Sequence, residues 1–427
     1  MTKEEKSWIL YDVGNSAFVL IIVTTIMPIF FKDIASKGIP DALSTANWGF
    51  ANSLASLVLA VLAPILGSIA DFQYLKKRFF VFFLCVGLIF TVLLTFSGPG
   101  AWIYCLLVYI FSRVGWAGAN IFYDAFIVDV TEKKRMDVIS TRGYAYGYIG
   151  SVFPFLIVIA IIMLWPGGEN TTAIHPTPAK IGFLIAAAWW FLFSLPMLKN
   201  VRHKYYMPGS ATPVKDGFIK LLNTFKEIRK FKQAFVFLIA YFFYIDGVDT
   251  IISMSTAYGM DIGLNTTMLI LAILMIQIAA FPFTLLFGAL ADRYSAKSMI
   301  FVGIGVFSLI TLIAFFLPDI SNLTLRTIAF WGLAFLAATS MGGIQALSRS
   351  YFGKLIPAER SAEFFGFYNI FGKFAAISGP LIMGILTRLT GHSRFGILGI
   401  LVLFITGGLL LHSVKEPDVK GQKQMKT

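Results

Sequence analysis

Residues 288–297 read Gly288-Ala-Leu-Ala-Asp292-Arg293-Tyr-Ser-Ala-Lys297, and residues 67–76 read Gly67-Ser-Ile-Ala-Asp71-Phe-Gln-Tyr-Leu-Lys76. In both, a glycine precedes an aspartate by four positions and a lysine follows it by five. Each stretch ends one long apolar run and begins another, so each reads as a short polar connection between two hydrophobic segments. One connection written twice, once in each half of the chain, predicts an internally duplicated architecture. A second pair agrees with the first. Tyr11-Asp12-Val13-Gly14-Asn15 and Asp246-Gly247-Val248-Asp249 each place two polar residues three apart, at matching points of the two halves.

Outward from these connections the chain is a series of apolar runs, at 8–31, 44–70, 79–96, 102–128, 143–165, 180–198, 234–258, 267–290, 298–317, 327–348, 362–389 and 395–413. A helix needs roughly 20 apolar residues to cross the hydrocarbon core, and helices are the natural solution for runs this apolar. A membrane barrel would instead alternate over about ten residues. Of the 427 residues 57% are hydrophobic and 13% charged, against about 25% charged in soluble domains. That excludes a soluble enzyme, a disordered chain and a disulfide-stapled secreted domain. The expected fold is an all-α membrane protein of twelve transmembrane helices in two six-helix bundles, 1–198 and 233–414. A linker, 199–232, joins them, and a basic tail, 415–427, follows. Within the linker Phe218, Leu221, Leu222, Phe225 and Ile228 recur at helical spacing among Lys220, Lys226, Arg229 and Lys230. That pattern suits an amphipathic helix on an anionic membrane surface, or a solvated linker helix.

With twelve spans, 27 of the 35 lysines and arginines fall on the side that holds both termini. The positive-inside rule makes that side the cytoplasm. The polar start at Met1–Lys6 precedes a full-length apolar run and predicts no cleavable signal. The same asymmetry accounts for the net charge of +13, so no nucleic-acid partner is expected. Cys85 and Cys105 lie in apolar runs, and the four histidines (His175, His203, His392, His412) are scattered at loops and span ends. No metal site, cofactor or enzyme constellation is expected from them, and no phosphate loop is present to drive transport with ATP.

The connection Gly288-xxx-Asp292-Arg293-xxx-Lys297 resembles the loop signature of the major facilitator superfamily, and Gly67-xxx-Asp71 looks like its first-half copy, with Phe72 where arginine is usual. Three stretches resemble the vacuole-effluxer family of autophagy-linked amino-acid exporters and their bacterial relatives. They are Leu10-Tyr-Asp-Val-Gly-Asn-Ser-Ala-Phe18, Tyr244-Ile-Asp-Gly-Val-Asp-Thr-Ile251, and Gly342-Gly-Ile-Gln-Ala-Leu-Ser-Arg-Ser350 running on to Glu363-Phe-Phe-Gly-Phe-Tyr-Asn369 and Lys373. The resemblance implies a facilitator fold and, from fungal members, amino-acid export. The chain lacks the long insertions of fungal relatives, so a prokaryotic plasma membrane is expected rather than a vacuole.

Charges inside apolar runs are the candidate site, because each costs at least about 2.5–3.5 kcal/mol to insert. Arg113, Ala117, Asn120 and Asp124 step by four, three and four, which places them on one helical face. Arg113 lies about eleven residues, roughly 16 Å, from the outer edge of its span. Two readings fit: a cavity-facing stripe that binds a carboxylate or a coupling acid, or a structural ion pair between the first and fourth helices. Asp246 and Asp249 share a face, and two acids so close favour one retained proton, a basis for proton coupling. A pair satisfied by Lys373 and backbone donors is the alternative. Lys373, one turn after Asn369, is the second deep cation.

A zwitterion bridging Arg113 or Lys373 to Asp246 or Asp249 would use these groups, with Asn120, Asn369 and Tyr148 lining the chamber. Asp12, Asn15 and Asp124 are further coupling candidates. Gly67, Asp71, Gly288, Asp292 and Arg293 are candidates for closing the cytoplasmic side, with Gln345 and Arg349 reaching toward Asp71 or Asp12. The expected function is a monomeric secondary transporter of a small polar solute, an amino acid or similar zwitterion, working in the lipid bilayer by alternating access. A carrier of lipid or another amphiphile, and a non-transporting metabolite receptor, are the rival readings.

Overall fold

The computed structural model describes residues 1–165, 175–208, 215–217, 219, 223–224, 228–264 and 266–416. Among them twelve long helices run in order: α1 Lys3–Ala35, α2 Asp41–Ala70, α3 Leu75–Leu93, α4 Trp102–Ala125, α5 Met136–Met163, α6 Pro176–Asn200, α7 Lys232–Asp261, α8 Thr266–Arg293, α9 Ala296–Phe316, α10 Leu323–Leu355, α11 Ser361–Thr390 and α12 Ser393–Ser413. Among the described residues, eleven helices are long and apolar enough to cross a membrane. Among the described residues the one β-type pairing is an isolated parallel bridge between Phe72 and Met207.

Most helices extend past their apolar run at one end or both, whereas α4 stops at Ala125, short of the end of its run. Hydropathy marks only the oil-thick part, whereas caps and side-chain contacts decide where the helix ends. α1 begins at Lys3 because Thr2 and Glu5 form a reciprocal capping box, the Thr2 hydroxyl accepting from the Glu5 N–H and the Glu5 carboxylate from the Thr2 N–H. α10 runs on to Leu355, well past residue 348, because its polar end is fastened by side chains described below. Within α1 the turns at Val19–Thr25 and Phe31–Ala35 widen to π-helix on either side of Pro28. Pro28 has no N–H for the Thr24 carbonyl one turn back, and a turn earlier the Leu20 carbonyl accepts the Thr24 hydroxyl.

The chain divides into two compact units. The first comprises Met1–Val130, Tyr146–Leu221 and Glu359–Gly366; the second comprises Thr131–Ala145, Leu222–Ala358 and Phe367–Thr427. The start of α5 therefore belongs to the second unit, and the start of α11 to the first. In the linker, Phe218, Lys220, Leu221, Leu222, Phe225 and Lys226 lie outside the described residues, and Ile228–Phe231 forms a short 3-10 turn.

Candidate functional site

In the first unit the polar face of α4 packs against polar positions of α1 and α2. Arg113 Nη1 donates to Asn52 Oδ1 and, at 3.0 Å, to the Tyr109 hydroxyl, which itself donates to Asn52 Oδ1 at 2.9 Å. One edge of the guanidinium is thus held by a closed triangle of neutral groups. Among the described residues no carboxylate pairs with Arg113, so the ion pair between the first and fourth helices is not the arrangement found. A neighbouring cluster centres on Asn15, whose Oδ1 accepts from Trp116 Nε1 and, at 3.2 Å, from Asn120 Nδ2. Asn15 Nδ2 reaches Asp12 Oδ1 at 3.5 Å. The Asn120 Oδ1 acceptor is buried without a partner. Asp124 is half-buried on the same face, and Tyr148 is half-buried on α5.

Neither Asn52 nor Tyr109 was among the expected ligands. Tyr109 precedes Arg113 by one turn, and Asn52 is an amide inside an apolar run, so both carried a readable signal.

In the second unit Asp246 is fully buried and accepts from the Ser378 hydroxyl, from the Gly379 N–H at 2.8 Å and from the Thr250 hydroxyl at 3.3 Å. Asp249 and Asn369 are half-buried. Lys373 lies on α11, but its side chain is outside the described residues. The Tyr241 and Tyr368 rings stack at 4.3 Å nearby.

The connection at Gly67–Lys76 is built around buried charge. Asp71 is fully buried and accepts the N–H groups of Ala362 at 2.8 Å and Glu363 at 3.2 Å, in the first turn of α11. A carboxylate there meets the positive end of the helix dipole. Gly67, one turn before Asp71, allows the approach, since a Cβ would overlap the Ala362 carbonyl oxygen. Lys76, also fully buried, donates to Asp129 Oδ2 and to Ser361 Oγ, both at 2.8 Å. Asp129 Oδ1 accepts the backbone N–H of Lys204 at 2.8 Å and of Tyr205 at 3.0 Å. The segment after α6 is held further by the Met207 N–H on the Asp71 carbonyl and by Lys77 Nζ on the Val201 carbonyl, both at 2.9 Å. Burial and the nearby Lys76 charge push the His203 imidazole in this segment down to about 4.

The second copy differs. Gly288 again permits close approach, here to Thr141 of α5. Asp292 and Arg293 are exposed, however, and Arg293 lies over the Tyr294 ring. The anion is instead Asp137 in the first turn of α5, which pairs with Lys354 and accepts from Ser350 Oγ at 2.7 Å. Arg349 Nε donates to Ser140 Oγ at 2.9 Å and Nη2 to the Ser140 carbonyl at 3.1 Å, with the guanidinium 4.4 Å from the Tyr144 ring centre. Gln345 is half-buried. The physical reason lies in the two helix starts. Glu363 at the start of α11 is gripped through both oxygens by Arg360, so Asp71 meets a neutralised terminus. α5 likewise carries a paired acid in its first turn, Asp137 with Lys354; Asp71 is bonded by the Ala362 and Glu363 N–H groups of α11, whereas among the described residues Asp292 takes none from α5 and stays exposed.

One prediction follows from the contrast between two glycines of α2. Gly67→Ala forces backbone against backbone and is expected to cost about 1–3 kcal/mol. Gly49 has nothing within 4 Å of its would-be Cβ, so Gly49→Ala is expected to be neutral or to stabilise by up to about 1 kcal/mol. Thermal melts of both variants in detergent check this, and equal melting points would count against the packing described.

Comparison with known proteins agrees with this architecture. A family profile described as "Vacuole effluxer Atg22 like" matches residues 44–132 and 128–424. The "Uncharacterized MFS-type transporter YxiO" of Bacillus subtilis is 45% identical over 416 residues, covering 97% of this chain and 95% of that protein. Autophagy-related protein 22 of Yarrowia lipolytica is 26% identical over 70% of this chain but only 54% of its own length. Among solved structures, the major facilitator proton:xylose symporter XylE superposes with a TM-score of 0.69 at 12% identity, covering 97% of this chain and 96% of that one. A bacterial homologue of the iron transporter ferroportin gives 0.68 at 14%, covering 96% and 98%. These structural likenesses speak for the fold alone. With twelve long helices, a twice-written polar connection and a profile match over most of its length, the chain belongs to the vacuole effluxer Atg22-like family of major facilitator transporters.

Proposed function

We propose that this transporter is a secondary carrier of a small solute bearing a carboxylate, an amino acid or similar zwitterion, moved by alternating access in a prokaryotic plasma membrane with both termini cytoplasmic. The observation that carries the reading is Arg113. Its charge sits mid-span, one edge is fixed by the neutral Asn52 and Tyr109, and no carboxylate of the described chain neutralises it. A guanidinium anchored on one edge presents its other donors as a fork, the geometry that fits a carboxylate through two parallel hydrogen bonds. The unpartnered acceptor of Asn120, two turns along the same face, suits a donor such as an ammonium. Asp249 and Asp12 are the acids proposed to exchange a proton during the cycle, and the working unit is proposed to be a single chain.

The test is a thermal-shift series on the purified protein, because only a ligand of the folded state raises the melting point. The twenty amino acids, their amides and the matching amines form the panel. The reading expects at least one amino acid to raise the melting point by several degrees while its amide and amine do not. Equal stabilisation by acid and amide, or stabilisation by lipids alone, would overturn it.

A further inference from the structure

Among the described residues, the buried carboxyl group of Asp246 meets no cation. Its hydrogen-bond partners are the Ser378 hydroxyl, the Gly379 N–H and the Thr250 hydroxyl, all neutral. Two of the three donors come from α11. A carboxyl group stripped of water depends on each of these donors, so α7 and α11 are fastened to one another at this point.

The contact falls at the proline of α11. Pro380 lies inside the helix and has no N–H to give to the carbonyl four residues back. The preceding N–H, that of Gly379, is directed to Asp246 Oδ1. Two successive rungs of the helix ladder are therefore missing or shared, and helices bend where the ladder is thin. Gly379 is also required by the contact itself, since an added Cβ would overlap Thr250 Oγ1 and lie 2.7 Å from Asp246 Oδ1. Full burial removes Asp246 from the groups able to touch a solute in this arrangement.

We infer that Asp246 is a positioning residue: its carboxylate clamps α11 at Gly379–Pro380, so that the half-helix from 379 to 390 is carried by α7. The inference does not rest on which solute is moved. It assigns Asp246 to the mechanical frame of the carrier, separate from the Arg113 site.

Amide hydrogen exchange of the full chain in lipid nanodiscs tests it without any solute. Asp246→Asn keeps the shape but replaces one acceptor oxygen with an NH2 donor, and Ser378→Ala removes one donor from the α11 side. Both are expected to speed exchange at 376–386 by tenfold or more, while α9 exchanges as in the wild type. Asp246→Glu, which keeps both acceptor oxygens, is expected to restore at least half of the lost protection. A packing role alone would not separate Asn from Glu in that order. Unchanged exchange in both Asp246→Asn and Ser378→Ala would overturn the inference. So would an increase spread equally over α7, α11 and α12, or equal behaviour of the Asn and Glu variants. If Asp246→Asn fails to fold, Ser378→Ala against the wild type decides on the same criterion.

Discussion

Arg113→Lys is expected to lower transport about 100-fold while leaving the protein folded and monodisperse. The substitution retains one positive charge at mid-span, so insertion and gross electrostatics change little. What it removes is geometry. Arginine spends Nη1 on Asn52 and Tyr109 and keeps a planar, directed set of donors for a carboxylate. Lysine has a single rotatable ammonium, and whichever acceptor it satisfies, it cannot reproduce that fork. A hydrogen bond to a charged group contributes about 1.5–3 kcal/mol. Losing one such bond, with the alignment it enforces, is worth roughly two decades at about 1.4 kcal/mol per decade.

Proteoliposome counterflow of the amino acid that most stabilises the wild type checks the result. Asn52→Leu is a second arm: it leaves Arg113 in place but unfastens its neutral edge, so a smaller loss, about tenfold, is expected. Wild-type flux in Arg113→Lys would remove Arg113 from the site. Equal losses in both variants would instead mark Asn52 as a ligand in its own right.

The membrane fold was readable because lipid leaves a chain few options. A run of twenty apolar residues has one economical conformation, and the repeated glycine–aspartate–lysine spacing tied the two halves together before any contact was known. Polar side chains inside the runs were legible as special but not in their roles. Asp246 and Asp249, three apart, looked alike; only the fold reveals that Asp246 faces Gly379 and is sealed, while Asp249 stays half-exposed.

Asp292 carries the same local spacing as Asp71, yet it stays exposed, while Asp137 of α5 takes the buried place opposite Lys354. Spacing conveys what a side chain is attached to, not the charge of what it will meet. Lys76, Asp129, Asp137 and Lys354 were missed for a related reason. Near the ends of spans, charged residues are ordinary by composition, and only tertiary packing separates a solvated lysine from one with no exposed surface.

Lys76→Met is expected to be the most destabilising single change in the connection after α2. Lys76 and Asp129 have no exposed side-chain surface, and removal of one partner strands the other charge in a dry site at a cost of about 3–5 kcal/mol. The two partners are not equivalent. Asp129 also receives the N–H groups of Lys204 and Tyr205, so truncating it to leucine orphans two backbone donors besides the lysine. Asparagine at 129 keeps an acceptor for those N–H groups and removes the charge. A double variant, Lys76→Met with Asp129→Asn, is therefore expected to recover more than half of the stability that Lys76→Met loses. Lys76→Met with Asp129→Leu is expected to recover less, because the segment after α6 loses its anchor in either background.

Thermal inactivation midpoints in one detergent, for the wild type, the three single variants and the two doubles, give the coupling directly as the departure from additivity. Coupling near zero would mean that Lys76 acts through Ser361 on α11 and not through Asp129. A Leu double variant more stable than the Asn double would mean that the backbone donors of Lys204 and Tyr205 find water once the carboxylate is gone. The expected order, Asn double above Leu double above the Lys76→Met single, follows only if one carboxylate serves two structures: the lysine that reaches α11 and the strand of chain that leaves α6.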